Sequence, residues 1–402
     1  MLRWRSAPVA ALASDPLLYL DACAAVPPDP GVLARMLEHQ QRCWANPSSV
    51  HPAGIAAAEL LERSRQTLLD LMGCPAGQVI FTSGGTEADN LALLGTAGTL
   101  SPGRLLLSPL EHPAVSAAAQ RLCQQGWEVV TLAVDSSGLI DLQQLEPLLQ
   151  PPTKLVSIAW ASSDLGTLQP MERIGELCRA AGVVLHSDAV QVLGQLPLKR
   201  LQPLPVDLLS ISAHKFQGPR GIGALVLREP RPLQAQLVGG GQEGGLRSGT
   251  ESPWLAAALV DALQLREQQQ PALEQRLRAL RQGLQQDLLH RSGLQLSGAQ
   301  EEGQRLPHHL SVLLATADGV PRSGRAAVRA LARHGLAVSS GSACSSGRDQ
   351  ASQALLALGL DDRWARSGLR LSLGPWHTSS ALAGVADLLE SVLPTLPPAA
   401  CP

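Results

Sequence analysis

The chain has 402 residues, with 32 Lys+Arg against 34 Asp+Glu and a formal net charge of −2, a balance that argues against a phosphate-backbone-binding surface and so against a nucleic-acid partner. Hydrophobic residues make up 45% and charged residues 16%, which excludes global disorder and permits a large core. One large and one smaller unit are expected, because a single core stops growing at roughly 250 to 300 residues.

Residues 1–15, MLRWRSAPVAALAS and the next residue, are expected to be an N-terminal extension; two arginines before a short apolar stretch are only faintly like a targeting segment. No apolar run approaches the ~18 to 20 residues of a membrane-spanning helix, so no membrane partner is expected. The seven cysteines, at 23, 43, 74, 123, 178, 344 and 401, are odd in number and form no CxxC pair. That disfavours a disulfide framework and a zinc site, leaves no metal in the expectation, and fits a reducing, cytoplasmic compartment. Cys23, Cys43, Cys74, Cys123 and Cys178 read as small buried hydrophobes.

From Gln78 to Arg228 short apolar runs recur about every 25 to 30 residues: VIFT, RLLL, WEVVTLAV, KLVSIAW, VVLHS, DLLSIS and GIGALVL. Most are separated by segments of helical periodicity, such as EHPAVSAAAQRLCQQG and PMERIGELCRAAG, each closed by Gly. Strand, helix and strand in alternation predict an α/β fold: a large domain over residues 16–262 with a seven-stranded, mainly parallel sheet between helices. A Leu/Gln/Arg-rich helical stretch is expected over 254–290. A small α+β domain over 263–392 follows, from HLSVLL, RAAVRALARHG, LAVSSGS, QALLALG, LRLSLG and a final helix near Ser379 to Glu390. Residues 393–402 read as a flexible tail.

Ligands of such sheets bind beyond the carboxyl ends of the strands. The chain has only three lysines, Lys154, Lys199 and Lys215. Lys215, in SISAHKFQGPRG, stands at a strand end, where burial would leave a neutral amine for Schiff-base chemistry. FTSGGTEADN follows the first strand and opens a helix, so the backbone NH groups of Gly84, Gly85 and Thr86 form a cup suited to phosphate. Asp188, after VVLHS, suits a pyridinium nitrogen, and His112, in EHPAV, could lie flat on an aromatic ring. Each alone also suits a bland role as surface lysine, Gly-rich turn, cap or polar core group.

Taken together, FTSGGTEADN, EHPAV, HSDAVQVLGQLPL, VDLLSISAHKFQGPRGIGAL, RSGTE and AVSSGSACSS, in this order, closely resemble the signature segments of cysteine desulfurases, pyridoxal 5'-phosphate (PLP) enzymes of the class V aminotransferase family. The resemblance runs from about Tyr19 to Thr378, and the SSGSAC loop is similar to the group that includes the housekeeping iron–sulfur cluster enzymes. It implies the PLP-dependent transferase fold type I. It also implies that Lys215 carries the cofactor as a Schiff base and later moves the Cα proton. Gly85, Thr86, Ser212 and His214 would hold the phosphate, with Thr250 reaching it from the other subunit of a homodimer. Asp188 would pair with the ring nitrogen, Gln191 with the ring hydroxyl, and His112 would stack on the ring. Arg370 would grip the carboxylate of the substrate, L-cysteine, with Asn46 and Ser163 also on the substrate side; the segment ANPSSVHPAG, with Asn46 and His51, fits the family.

Cys344 would attack the substrate sulfur, leaving alanine and a persulfide for a sulfur-acceptor or cluster-scaffold protein. Its surroundings, SSGSACSSG, are too small to pack firmly, which predicts a loop able to deliver a thiol. The family pattern breaks on the substrate side. Ser162, Ser163, Asp164, Leu165 and Gly166 stand where Asn-Asn-Glu-x-Gly is usual, so Ser163 replaces an Asn that contacts cofactor and substrate. Ala25 and Val26 replace hydroxyl residues, and Gly244 replaces a frequent Arg. Two other readings therefore stay open: a PLP-dependent lyase acting on cystine, selenocysteine or cysteine sulfinate, for which Cys344 is dispensable, and a non-catalytic sulfur-relay scaffold of the same fold.

Overall fold

The computed structural model describes residues 17–291, 293–341 and 350–399. A two-residue strand, β1 (Leu18–Tyr19), precedes the seven strands read from the sequence: β2 (Gln78–Thr82), β3 (Arg104–Leu107), β4 (Glu128–Thr131), β5 (Thr153–Ser157), β6 (Val184–Asp188), β7 (Leu208–Ser212) and β8 (Gly223–Leu227). These seven form one sheet in the order β2-β8-β7-β6-β5-β3-β4. Only β8 runs antiparallel to its neighbours. The other links cross back through helices, as parallel pairing requires, whereas β7 returns as β8 through the short loop that carries Lys215. Strands β7 and β8 are buried at every position, which accounts for their unbroken apolar runs.

The second unit is built on β9 (Leu294–Leu296), β10 (His309–Leu314), β11 (Leu336–Ala337) and β12 (Gly368–Ser372). The last of these pairs antiparallel with β10, and β9 takes the other edge of β10. Strand β1 pairs in parallel with β11, and Leu20 is buried with Leu310, Leu336 and Leu371. The first described residues thus pack with the C-terminal unit, although the expected boundary assigned them to the large one. The chain then crosses between the units: Ala22 N donates to Ser372 O, and Val26 N to His214 O.

The helical stretch expected over 254–290 is two helices, Pro253–Gln269 and Ala272–Leu289. Pro271 divides them, since it has no NH to donate and disfavours helical backbone at the residue before it. Leu263 lies in the large core and Leu273 in the small one, so the change of core falls at this break and not at 262. The final helix is also two, Ser379–Leu382 and Val385–Val392, separated by Gly384 at φ 84. LAVSSGS contributes only the two residues of β11. Residues 393–399 are not a loose tail: Leu393 and Leu396 are buried, and Ala399 N donates to Pro321 O. Their Leu side chains cap the small core, which outweighs the turn-like composition. No described helix is long and apolar enough to cross a membrane.

Leu106 of β3 is wholly buried in the large core. Leu106→Ala is expected to cost about 3 kcal/mol, read as a lower urea midpoint with an unchanged slope in equilibrium unfolding followed by circular dichroism.

Candidate active site

Five strands deliver their carboxyl ends to one place. After β2, Ser83 N donates to Glu87 Oε2 at 2.7 Å, and Arg247 holds the same carboxylate at 2.8 Å, so the Gly84–Gly85 turn is pinned from both sides. A Cβ on Gly84 would stand 3.8 Å from Ser212 Oγ, and one on Gly85 would clash with Val190 Cγ2 at 2.8 Å. Ser212, at the end of β7, shares a 3.0 Å hydrogen bond with His214 Nδ1. Burial first, then the charges of Lys215 and Arg220, push the His214 imidazole down to about 4. The donor set of hydroxyls, backbone NH groups and a neutral imidazole, in a recess that side chains would fill, fits the phosphate of the expected cofactor. Gly85, Ser212 and His214 are brought together, while Thr86 is exposed on the same turn.

Lys215 closes a short 3-10 turn, Ala213–Lys215. Its Nζ donates to Cys23 O at 2.5 Å and Ala24 O at 3.1 Å on the crossing segment. Gln191 Nε2 donates to the same Cys23 carbonyl at 3.0 Å. From the other side Gln195 Nε2 donates to Lys215 O at 3.1 Å.

Asp188, at the end of β6, accepts from Val190 N at 2.8 Å. Burial raises its pKa, opposed by the Val190 NH and by the positive fields of His112 and Lys215. His112 caps the helix Pro113–Gln124 with Nδ1 accepting from Ala114 N at 3.1 Å, which leaves Nε2 to carry the hydrogen of the neutral ring. Burial lowers its pKa, with Asp188 opposing. Pro113 follows the cap because the first helical NH is unneeded. Two further acids lie beside this group. Glu111 accepts from Ala159 N at 2.8 Å while its Oε2 has no partner, and Asp89 stands 3.6 Å from His186 Nε2. Burial, then repulsion from Asp188, raises both carboxyls well above the usual range.

Arg370 on β12 is 4% exposed and already engaged: Nη2 pairs with Asp21 at 2.8 Å, and Nη1 donates to Ser163 O at 3.1 Å and lies 3.8 Å from Asp164 Oδ1. Ser163 Oγ turns to Asp164 at 3.3 Å. Cys344 lies in 342–349, outside the described residues. Both flanks of that segment are tied to this spot: Ser339 exchanges backbone hydrogen bonds with Arg370, and Ser352 Oγ donates to Asp164 Oδ2 at 3.2 Å.

Asn46 is exposed, its Oδ1 accepting from Ser48 N, and Thr250, expected to act from the partner subunit, is exposed in a small recess with Thr82, Ser83 and Glu243. Gly244 takes φ 64, a left-handed conformation in which an Arg would be strained. Among the cysteines, Cys23, Cys74 and Cys178 are buried as expected. Cys43 is only half-buried and Cys123 is exposed, because it falls off the buried stripe of Val115, Ala118, Ala119 and Leu122 on its helix.

Asp21, Cys23, Asp89, Glu111, His186 and His308 were not singled out from the sequence. His186 lies two residues before Asp188 on the same strand face, so strand period could have found it, while Glu111 is in a loop and is marked only by its place next to His112. Cys23 Sγ contacts His308 Nε2 at 3.4 Å across 285 residues, and no local pattern announces that.

The chain matches the family model described as aminotransferase class-V over residues 18–383. It is 39% identical to the cysteine desulfurase IscS of Photorhabdus laumondii over 380 residues, covering 93% of this chain and 92% of that protein. It is 35% identical to the IscS of Glaesserella parasuis over 386 residues, covering 94% and 93%. Among solved structures, a NifS-like protein superposes with a TM-score of 0.84 at 30% identity, covering 94% of this chain and 100% of that one. SspA in complex with cysteine superposes with a TM-score of 0.76 at 30% identity, covering 90% and 99%.

His308 gives this site a pH signature. Burial first, then Arg266, Arg370 and Arg281, hold its imidazole down to about 3, against 6.5 when unfolded. The unfolded chain therefore takes up a proton that the folded one refuses, so this contribution to stability is complete above 6.5 and is lost as pH falls towards 3. Between pH 7 and pH 5 the parent is expected to lose roughly 2 kcal/mol more than His308→Asn. Denaturant titrations at both pH values measure it, and equal losses would mean that His308 is not held neutral.

Proposed function

The chain belongs to the class-V aminotransferase family, and from that premise we infer that it is a PLP-dependent cysteine desulfurase, taking sulfur from L-cysteine and releasing L-alanine. The observation that carries the reading is the setting of Lys215, a lysine at a strand end with its Nζ on two backbone carbonyls and Asp188 and His112 in its field.

PLP, when bound, supplies an electron sink for the charge left at the substrate Cα. Lys215 Nζ holds it; Gly85, Thr86, Ser212 and His214 serve its phosphate, together with the partner subunit's Thr250 in a homodimer. Asp188, Gln191, His112 and Ser163 serve its ring. Asp188 suits a ring nitrogen because, of the three buried carboxyls here, it is the one that Lys215 and His112 draw towards its charged form.

Arg370 receives the substrate carboxylate, which must share or displace Asp21 on the guanidinium fork, and Asn46 and Ser163 complete that end. Lys215 then moves the Cα proton. The Cys344 thiolate attacks the substrate sulfur: its S–S bond forms as the substrate C–S bond breaks, and the substrate carbon takes a proton. One cysteine and one thiol become alanine and a Cys344 persulfide, with nothing left over. Passing the outer sulfur to an acceptor or cluster-scaffold protein fits a reducing, cytoplasmic setting, where thiols stay free.

The test is to incubate the purified protein with cysteine and measure alanine together with protein-bound persulfide; neither forming would overturn the reading. Lys215→Ala is expected to abolish alanine formation. Cys344→Ser should keep the cofactor colour and lose the persulfide, and unchanged cysteine-dependent sulfide release in that variant would favour a lyase instead. Arg370→Lys should raise KM for cysteine about tenfold or more, because an ammonium cannot make the paired contact.

A further inference from the structure

Arg266, on the helix Pro253–Gln269, is the largest fully buried side chain among the described residues, 1% exposed. Guanidinium groups in such places are normally neutralised by a carboxylate, because an unpaired buried charge is costly. Arg266 has none among the described residues. Its three hydrogen bonds go to neutral oxygens: Nε to Gly194 O at 2.9 Å, Nη1 to Gln217 Oε1 at 3.3 Å and Nη2 to Gln195 Oε1 at 3.3 Å.

All three partners belong to the two segments that frame Lys215. Gln195 passes the contact on by donating to Lys215 O. Gln217, two residues beyond the lysine, is one of only two non-glycine residues with positive φ among the described residues, at 67°, a conformation that persists only when its surroundings impose it. Gly194 must be glycine, at φ 71 and with Phe216 Cβ 2.4 Å from where its own Cβ would stand. A neutral side chain could make such contacts without the cost of burying a charge, so the charge itself calls for a role.

We propose that Arg266 is a positioning residue for Lys215: it clamps the loop that presents the lysine and sets an uncompensated positive charge behind it, which disfavours a proton on the Lys215 nitrogen. The inference rests on the reading that Lys215 carries the cofactor. Among the described residues, Asp188 from β6, His112 from the helix start after β3, His214 of its own loop and Cys23 of the crossing segment lie in the field of the lysine, with Arg220 acting on His214 and Arg370 on Cys23. Arg276 and His308 face Arg266 itself. None of them supplies a carboxylate to Arg266.

The test is a pH titration of the visible absorption of the PLP-loaded protein in the parent, Arg266→Lys, Arg266→Gln and Gln217→Glu. Removing the charge, in Arg266→Gln, should raise the midpoint by about one pH unit, the order expected when one nearby charge is lost from a buried setting. Arg266→Lys keeps the charge and should leave the midpoint within about 0.3 unit, since the effect is electrostatic. Gln217→Glu places a neutralising carboxylate against an intact Arg266 and should raise the midpoint too, so the proposal stays exposed even if Arg266→Gln does not fold. Identical midpoints in the parent and in whichever of Arg266→Gln and Gln217→Glu folds would overturn it. If the parent forms no borohydride-reducible adduct at Lys215, the underlying functional reading fails instead, and the two failures are distinguishable.

Discussion

The ammonium of Lys215 rests on the carbonyls of Cys23 and Ala24, and much of the architecture follows from what is needed to bring those groups together. The lysine belongs to the one loop of the large sheet that reverses direction. The carbonyls belong to a segment that begins as a strand of the small unit and ends on the backbone of His214. Neither unit alone assembles the contact. The Cys23 side chain meets His308 while its carbonyl meets Lys215 and Gln191, so one residue joins the floor of the site to both cores.

Charge placement obeys the same constraint. At the strand ends three carboxyls, Asp89, Glu111 and Asp188, are crowded and burial raises all three, and Asp188 is the one whose rise the charge of Lys215 opposes. Across the cleft Arg370 is held ready by Asp21 and the Ser163 carbonyl. Behind Lys215, Arg266 is held, among the described residues, by neutral oxygens.

Two of the departures from the family pattern, Ser163 and Asp164, lie at the carboxylate end beside Arg370. Ser163 is too short to reach far and spends its hydroxyl on Asp164, while its carbonyl takes both Arg370 and His309. Asp164 bridges to Ser352, on the far flank of the segment that holds Cys344, so the altered residues link the substrate arginine to the approach of the thiol.

The seven strands of the large sheet and the order of its motifs were legible in the sequence, because a buried parallel strand is a continuous apolar run and each turn after it is punctuated by Gly, Pro or a capping residue. Gly85, His112, Asp188 and Lys215 were legible for the same reason, since each stands near the end of such a run, whereas Ser212 and His214 came only from the resemblance. Helix breaks at Pro271 and Gly384, the docking of residues 393–399, and the return of β1 to β11 were not, because they depend on what a short segment packs against. Arg266, Cys23, His308 and Asp21 carry no local signal at all: as letters they are an arginine on a helix, a small thiol, a histidine and an acid. Local periodicity and turn chemistry act over a few residues and so determined the elements and their chemistry. Only folding, which brings residues hundreds of positions apart within hydrogen-bonding distance, decided which charges are neutralised and which are left to act.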